Sequence, residues 1–332
     1  MKEKLMEILA EPGTGNTLRL RVTQSNQFTH EIEEGELLCE QSGKSYPIVR
    51  GIPRFVASEK DYASNFGKQW NQFRTTQIDT SNGHDLSKRR FEEETKWTSK
   101  ELCEGKWVLD AGCGAGRFSE VASNYGSELV AMDLSSAVEA CQVTLAKFPN
   151  AHVVQGSILE PPFKAAAFDY AYCIGVIQHT PDPQKAVSRV CQTVSSGGQA
   201  VFTIYARRPW TKLYGKYLLR PLTKRMKQDK LLSRIESSMK FMFPLCDTLF
   251  RVPVLGKMAQ FAIPVAVYVD SEHLNLTQEQ RYEEAILDTF DMLGPMYDSP
   301  MKWQEVDSVF QNTKAKSWEF YSKVPINCVA HC

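Results

Sequence analysis

The sequence predicts an α/β fold whose core is a doubly wound, mostly parallel β-sheet. Between residues 106 and 206, apolar runs of strand character alternate with segments of helical periodicity. A glycine cluster follows the first of these runs, an aspartate ends the second, and Gly156-Ser157-Ile158 follows the third. Such alternation indicates right-handed crossovers and a parallel sheet, which binds ligands beyond the carboxyl ends of its strands.

The chain before this core divides into two predicted parts. Residues 1–56 predict a small β-rich module, since four short strand-like runs are separated by turn residues: LRLRV, FTHEI, ELLCE and SYPIV. Residues 57–105 are polar and predict a helical lid or linker. Its segments FGKQWNQF and RRFEEETKW carry aromatic residues at spacings that line one face of a helix.

The core itself, residues 106–206, is predicted to contain five strands with helices between them. The strands are WVLDAG, SELVAMDLS, AHVVQGSI, FDYAYCIGVI and GGQAVFTIYA. Residues 301–332 are expected to complete a seven-stranded sheet, because SWEFYSKVPINCVAHC can supply two more strands. Residues 207–300 break the alternation and predict a helical insertion after strand five that caps the ligand site. We expect its helices to be interrupted by Pro221, Pro244, Pro253 and Pro264.

Composition and charge limit the classes of function. The 332 residues include 39 lysines and arginines against 39 aspartates and glutamates, so net charge gives no general attraction to nucleic acid or acidic lipid. No apolar run reaches the roughly 18–20 residues of a membrane span, and MKEKLMEILAEPG is a poor signal peptide. Nine cysteines occur singly without a CxxC pair, which favours a cytoplasmic protein with reduced thiols and no metal.

The glycine cluster predicts a loop that holds a small ligand. Gly112, Gly114 and Gly116 follow Asp110 at the end of a strand and precede a helix. Glycine backbones can approach a ligand closely, and a helix N-terminus attracts its anionic part. Asp110 would repel a pyrophosphate but suits a cationic amino group. A ligand with both a carboxylate and an ammonium therefore fits better than a dinucleotide, whose spacing is Gly-x-Gly-x-x-Gly.

Two later strand ends extend this ligand site. Asp133 ends the second strand, where a carboxylate can accept both hydroxyls of a ribose. Ser157 and Ile158 follow the third strand, where a side chain and a backbone N–H can meet an adenine edge.

These motifs, in this order, carry a family resemblance. VLDAGCGAGRF, VAMDLS, VVQGSI, FDYAYCIGVIQHTPDP and SSGGQAVFTIY resemble the class I S-adenosylmethionine-dependent methyltransferases, over roughly residues 60–205. The resemblance implies a Rossmann-like sheet and S-adenosylmethionine as cofactor. It implies that Asp110 and the glycine loop hold the methionine part, that Leu134 packs on the adenine, and that Ser157 stands where the family often has aspartate. The implied cofactor pocket also includes Ala111, Cys113, Cys173 and Gln178.

A closer resemblance concerns the N-terminal module. YPIVRGIPRF, followed by FGKQW, resembles a branch that carries a zinc-ribbon-like module of the kind seen in a tRNA-methyltransferase activator family. The two cysteine pairs of that module are missing here, since AEPGTGN replaces the first and only Cys39, with Ser42, remains of the second. The resemblance thus implies a module without metal. It also places Phe66, Gln69 and Trp70 near the cofactor.

The lid helices leave two interpretations open. Trp70 and Phe73 can belong to the apolar core, or Trp70 can cover the cofactor. Arg90 and Phe91 form a second aromatic-basic pair with the same ambiguity.

Candidates for catalysis and acceptor binding are fewer. His179, just past the fourth strand, can act as a general base or can only hold its loop in place, and Gln178 and Asp182 share this ambiguity. Acceptor contacts are predicted for Tyr205, Tyr268, Asp291, Tyr297 and Asp298.

The insertion begins with a basic stretch. Residues 207–240 hold eleven lysines and arginines against two acids. This stretch is either a solvated cap or a surface for an anionic substrate, a lipid, a membrane or, less favoured, a nucleic acid.

The function predicted from these features is methyl transfer from S-adenosylmethionine to an O, N or C atom of a small-molecule acceptor. Two alternatives stay open. One is a tRNA-modifying methyl- or carboxymethyltransferase, since FDYAYCIGVIQHTPDP is similar to that class. The other is a non-catalytic methyltransferase-like scaffold.

Overall fold

The computed structural model describes residues 1–56 and 64–332. The N-terminal module is an antiparallel sheet of four strands, β1 (Arg19–Ser25), β2 (Ile32–Leu38), β3 (Ser45–Val49) and β4 (Ile52–Pro53), after a 3-10 helix at Glu3–Glu7. The strand prediction for FTHEI is wrong, because its first residues form the turn between β1 and β2. The Asn26 side chain closes that turn by accepting hydrogen bonds from the backbone N–H groups of Phe28 and Thr29, both at 3.0 Å.

A buried carboxylate occupies the place where the related modules have their cysteine pairs. The Glu11 carboxylate accepts hydrogen bonds from Thr14 Oγ1 at 2.5 Å, Asn16 Nδ2 at 2.9 Å and the Ser42 hydroxyl. The Cys39 thiol lies 3.4 Å from the same carboxylate. Both of the sequence segments that lack their cysteines therefore meet at Glu11.

Three helices lead from the module to the core: α1 (Ser64–Gln72), α2 (Asp79–Asn82) and α3 (Leu86–Thr95). The core follows with β5 (Trp107–Ala111), α4 (Arg117–Asn124), β6 (Glu128–Asp133), α5 (Ala137–Leu145) and β7 (Ala151–Gln155). It continues with β8 (Phe168–Ile174), α6 (Pro183–Thr193) and β9 (Val194–Ile204).

The insertion contains five helices: α7 (Gly215–Thr223), α8 (Gln228–Leu249), α9 (Leu255–Ala262), α10 (Ser271–Leu274) and α11 (Gln278–Leu293). Pro221 lies inside α7 and Pro244 inside α8, so the predicted helix breaks at these two positions are wrong. The cost of a proline in a helix, about 3 kcal/mol, is offset because α8 buries six side chains against α11, each worth roughly 1.5–3 kcal/mol. Pro253 precedes α9 and Pro264 follows it, as expected.

The chain ends with α12 (Trp303–Gln311), β10 (Ser317–Lys323) and β11 (Ile326–His331). The large sheet has the order β10-β11-β9-β8-β5-β6-β7, in which β9 to β7 are parallel and β11 is antiparallel to both of its neighbours. The predicted seven-stranded, mostly parallel sheet is confirmed. Strand order reverses next to β5, so the carboxyl ends of β5 and β8 flank the crevice where such sheets bind ligands.

The small module extends the edge of the large sheet. Arg54, just after β4, donates to Gln155 Oε1 at 2.8 Å and to Glu139 Oε1 at 2.6 Å.

Among the described residues, no helix is both long enough and apolar enough to cross a membrane.

Candidate active site

A cavity of about 340 Å³ lies beyond the carboxyl ends of the core strands, beneath α1, α3 and the insertion. It has two parts. The core half is lined by the residues at the strand ends and on α1: Phe66, Gln69, Trp70, Gly112, Cys113, Gly114, Ala115, Arg117, Phe118, Asp133, Leu134, Ile158, Ile174, Gly175, Val176, His179 and Thr180. The cap half is lined mainly by residues of the insertion: Gln77, Arg90, Tyr205, Lys216, Ala266, Tyr268, Asp288, Asp291, Met292 and Asp298.

The glycine loop adopts a backbone that requires glycine. Gly112 has φ +100° and Gly114 has φ +52°, both in the left-handed region. A Cβ atom at Gly112 would lie 2.6 Å from Val176 Cγ2, and one at Gly114 would lie 3.0 Å from the Trp70 ring. The loop therefore packs closely under the Trp70 indole, which covers this end of the cavity.

Asp133 links the loop to the cavity. Its Oδ2 accepts from the Gly114 N–H at 3.1 Å, and its Oδ1 accepts from the backbone N–H and the hydroxyl of Ser135 at 2.8 and 2.7 Å. Burial raises the pKa of this carboxyl, and these hydrogen bonds oppose that shift. Asp133 thus holds Gly114 in place while it faces the core half.

Asp110 lies beneath the glycine loop and not in the cavity wall. It is buried, and the Ser119 hydroxyl donates to its Oδ2 at 2.6 Å. Burial raises the pKa of Asp110 to about 7, against the opposing hydrogen bond from Ser119. Its contact with the amino group of a cofactor stays a prediction.

Several other predicted cofactor residues also lie behind the wall. Ala111 and Cys173 are buried within the sheet, and Gly116 packs near Cys141 at the start of α4. The Ser157 hydroxyl accepts from the Leu159 N–H at 3.2 Å, whereas its neighbour Ile158 lines the cavity.

Gln69 is the most unusual polar residue of the core half. It is only 1% exposed, and among the described residues neither its amide nitrogen nor its amide oxygen has a hydrogen-bond partner. Buried polar groups are nearly always paired, so such an amide points to a ligand. Its helix neighbours Phe66 and Trp70 also line the cavity, whereas Phe73 packs on the apolar core of the insertion.

His179 stands where the two halves meet. Its Nδ1 lies 3.1 Å from the carbonyl oxygen of Tyr297, which only accepts, so Nδ1 carries the hydrogen and Nε2 keeps its lone pair. Nε2 is buried without a partner among the described residues. The ring contacts Phe66 and Tyr205 edge-on, with centroids 5.3 and 5.8 Å apart.

Gln178 and Asp182, the polar residues near His179 in the sequence, form hydrogen bonds with backbone groups. The Gln178 amide donates to the Gly175 carbonyl at 2.6 Å and is fully buried. Asp182 caps α6 by accepting from the Lys185 N–H at 2.9 Å. Neither residue lines the cavity.

The cap half presents two carboxylates that have no cation partner among the described residues. Asp288 and Asp291 are three residues apart on α11 and both line the cavity. Gln77 Nε2 lies 3.4 Å from Asp288 Oδ1. Burial raises the pKa of Asp288 to about 7, the charge of Glu284 adds to this, and the Tyr268 hydroxyl opposes it.

The cations of the cavity wall are already engaged. Lys216 Nζ lies 2.7 Å from Asp298 Oδ2, and Arg90 Nε lies 2.7 Å from Glu94 Oε1. Arg117 donates to Gln77 Oε1 at 3.0 Å, and burial lowers its pKa to about 10. Ion pairs thus neutralise Lys216 and Arg90, whereas Asp288 and Asp291 have no ion pair within the described residues.

The predicted acceptor residues Tyr205, Tyr268 and Asp291 come together in the cap half, and Tyr297 contributes its carbonyl to His179. Arg90 lines the cavity, but its neighbour Phe91 is fully buried in the core. Sequence reasoning missed Asp288, although its i, i+3 spacing from Asp291 on an acid-rich helix was a usable signal. It also missed Gln77 and Lys216, for which the sequence carries no signal.

Comparison with known proteins identifies the segment that contains this loop. Residues 109–202 match the family model described as a methyltransferase domain. Residues 2–51 match the model described as a Trm112p-like protein. The predicted resemblance to methyltransferases is thus supported for residues 109–202, and that to Trm112-like proteins for residues 2–51.

The similar curated proteins share this part of the chain. One is named ubiquinone biosynthesis O-methyltransferase of Alkalilimnicola ehrlichii, 30% identical over 128 residues, covering 36% of this chain and 52% of the relative. A protein of the same name from Escherichia fergusonii is 31% identical over 129 residues, covering 36% and 53%. The chain thus spans about half the length of these relatives. A solved SAM-dependent methyltransferase from Aquifex aeolicus is 17% identical, with a TM-score of 0.34 and coverage of 48% and 83%.

Proposed function

We propose that this protein is an S-adenosylmethionine-dependent methyltransferase that acts on a small molecule at an O, N or C atom. One observation carries the proposal. A single cavity joins the glycine loop and Asp133, at one end, to His179 and a wall of tyrosines and aspartates at the other. The methyltransferase-domain match over residues 109–202 and the names of the curated relatives support it.

The core half fits the cofactor in two respects. The Trp70 ring and the left-handed glycines form a narrow cradle that any Cβ at Gly114 would obstruct. The unpaired amide of Gln69 and the carboxylate of Asp133 offer a donor and acceptors to a ligand rich in amino and hydroxyl groups. We propose that Asp133 receives the ribose hydroxyls and that Leu134 and Ile158 contact the adenine.

When bound, S-adenosylmethionine supplies an electrophilic methyl group; the protein supplies proximity, alignment and a proton acceptor. We assign the proton-accepting role to His179 Nε2, which has its lone pair free at the junction of the two halves. Asp288, Asp291 and Tyr268 are proposed to orient the acceptor through hydrogen bonds. Phe66 and Trp70 exclude water from the core half.

A small acceptor suits the dimensions of the site. The cavity of about 340 Å³ falls in the range of small-molecule pockets, and the insertion covers it. The comparisons give no support to a tRNA-modifying enzyme or a scaffold over this function. A cytoplasmic location is also proposed, because all nine cysteines are free thiols.

Calorimetry with S-adenosylhomocysteine, followed by mass spectrometry of methylated products, tests the proposal. Asp133→Asn should weaken binding roughly 10- to 150-fold, since one charge-assisted hydrogen bond is worth about 1.5–3 kcal/mol. Asp182→Asn is the matched control, because Asp182 only caps α6. Failure of the wild-type protein to bind at about 100 μM would rule the proposal out. Equal affinities of the Asp133 and Asp182 variants would show that the ribose assignment is wrong.

A further inference from the structure

The outer side of the insertion exposes an unusual number of large apolar side chains. Of the twenty large hydrophobic residues that are exposed in the described chain, eleven lie between residues 210 and 258. Leu218, Leu222, Val254 and Met258 are 76%, 70%, 73% and 65% exposed. Single exposed apolar residues are ordinary, but a concentrated group marks an interaction surface.

These side chains lie on two helices of the insertion, and the start of α7 contacts the end of α9. The Tyr214 and Phe261 rings have centroids 4.4 Å apart, and Gly215 lies directly against the Ala262 carbonyl. Leu218 and Leu222 are one turn apart on the outer side of α7, and Leu255 and Met258 are exposed on α9. We call Leu218, Leu222, Val252, Val254, Leu255 and Met258 the apolar cap face.

The turn between α8 and α9 presents part of this face under backbone strain. Residues 251–255, RVPVL, are all exposed. Val254, the N-cap residue of α9, has φ +63°, in the left-handed region that β-branched residues rarely adopt. Strain of this kind persists where it serves a function, and here it displays an apolar side chain to solvent.

The segment that carries the apolar cap face is rich in positive charge. Residues 207–258 contain thirteen lysines and arginines against three acids, a net charge of +10 in a chain that is neutral as a whole. The three acids are already engaged: Asp229 with Lys68, Asp247 with Arg251 and Arg281, and Glu236 with Gln72.

Most of the cations in this segment have no such partner. Nine exposed lysines and arginines lack an ion pair within the described part of the chain: Arg208, Lys212, Lys224, Arg225, Lys227, Lys230, Arg234, Lys240 and Lys257.

We propose that the apolar cap face docks on the surface of an anionic membrane. Exposed leucines and valines that are ringed by lysine and arginine insert at the boundary of headgroups and acyl chains, while the cations contact acidic lipids. A nucleic acid would leave the leucines unburied. A protein partner is disfavoured by the lysine content, because protein–protein interfaces are depleted in lysine. The inference does not depend on the proposed methyltransferase function.

A groove of the insertion lies next to the candidate active site. A second cavity, of about 530 Å³, is lined by Phe250, Lys257, Gln260 and residues 265–270. Ala266 and Tyr268 line both this groove and the cap half of the first cavity.

Vesicle co-sedimentation tests the docking. The full chain is mixed with vesicles of phosphatidylcholine alone, or of phosphatidylcholine with phosphatidylglycerol. We expect sedimentation with the anionic vesicles only, and release at high salt. Leu218→Gln combined with Leu222→Gln, and separately Lys224→Glu combined with Lys227→Glu, should each weaken binding about tenfold or more.

Val143→Gln is the matched control, since Val143 is 56% exposed on α5, outside the apolar cap face. Unchanged melting temperatures would show that each variant folds. The proposal is overturned if the wild-type chain stays in the supernatant with both vesicles. It is equally overturned if the leucine variant binds as Val143→Gln does, or if gel filtration shows that this variant only loses self-association. Cofactor calorimetry on the same samples reports separately on the proposed function.

Discussion

The Gln69 amide gives the sharpest prediction, because a single change should act in opposite directions on stability and on cofactor affinity. Gln69→Met keeps the length of the side chain and its helix propensity but removes both polar atoms. In the free protein those atoms are buried without a partner among the described residues, which lowers the free energy of unfolding by about 1–3 kcal/mol. The variant without cofactor should therefore be more stable than the wild type, with a rise in Tm of about 2–6 °C.

The same change should weaken the affinity for the cofactor. If the cofactor pairs with the Gln69 amide, the methionine variant loses those hydrogen bonds. A loss of about 1–3 kcal/mol corresponds to an affinity for S-adenosylhomocysteine that is roughly 5- to 150-fold weaker. The measurements are thermal unfolding by calorimetry without ligand and titration calorimetry with it.

Gln72→Met on the same helix is the matched control. Gln72 is exposed, and its side-chain amide donates to Glu236 Oε1 at 3.3 Å. It does not line the cavity. Its change should move stability by about 0.5 kcal/mol or less and leave affinity unaltered. A Gln69→Met protein that is less stable than wild type and binds the cofactor equally well would refute the reasoning.

Two other predictions concern a proton acceptor and a proton-linked contact. His179→Asn keeps a donor for the Tyr297 carbonyl but removes Nε2, so kcat should fall about 100-fold or more, with cofactor affinity unchanged. A variant with the wild-type rate at every pH would leave His179 a structural residue. For Glu11, hydrogen bonds from Ser42 and Thr14 lower the carboxyl pKa from 4.5 to about 2. Its contribution to stability is thus present above pH 4.5 and lost as the pH falls toward 2, so acid should lower the Tm of the wild type more steeply than that of Glu11→Gln; parallel curves for the two would contradict this.

Much of the fold could be predicted because its determinants are local. Short segments of sequence contain both the alternation of strands and helices in the core and the glycines of the loop. The large sheet has the seven predicted strands, and Gly112 and Gly114 have positive φ. The strand prediction for FTHEI is wrong although polar and apolar residues alternate there, because most of this run lies in a turn that the Asn26 side chain closes.

The parts that could not be predicted depend on contacts between distant segments. Asp110 lies behind the loop because Ser119 of the next helix binds it there. Lys216 and Asp298 are 82 residues apart, and only the packing of α7 against the end of α11 brings them to 2.7 Å. The sequence predicted a helix break at Pro244. The proline instead lies inside α8, because the burial of α8 against α11 outweighs the loss of one backbone hydrogen bond.

The carboxylate at the centre of the N-terminal module changes what the protein requires from its surroundings. Where the related ribbons close around a metal ion, Glu11 draws Thr14, Asn16, Cys39 and Ser42 together with groups the chain already carries. Side chains of the chain itself thus join residues 11–16 to residues 39–42 at this end of the module. We therefore expect a zinc chelator to leave the Tm of the protein unchanged, whereas a ribbon that depends on a metal ion loses stability on chelation.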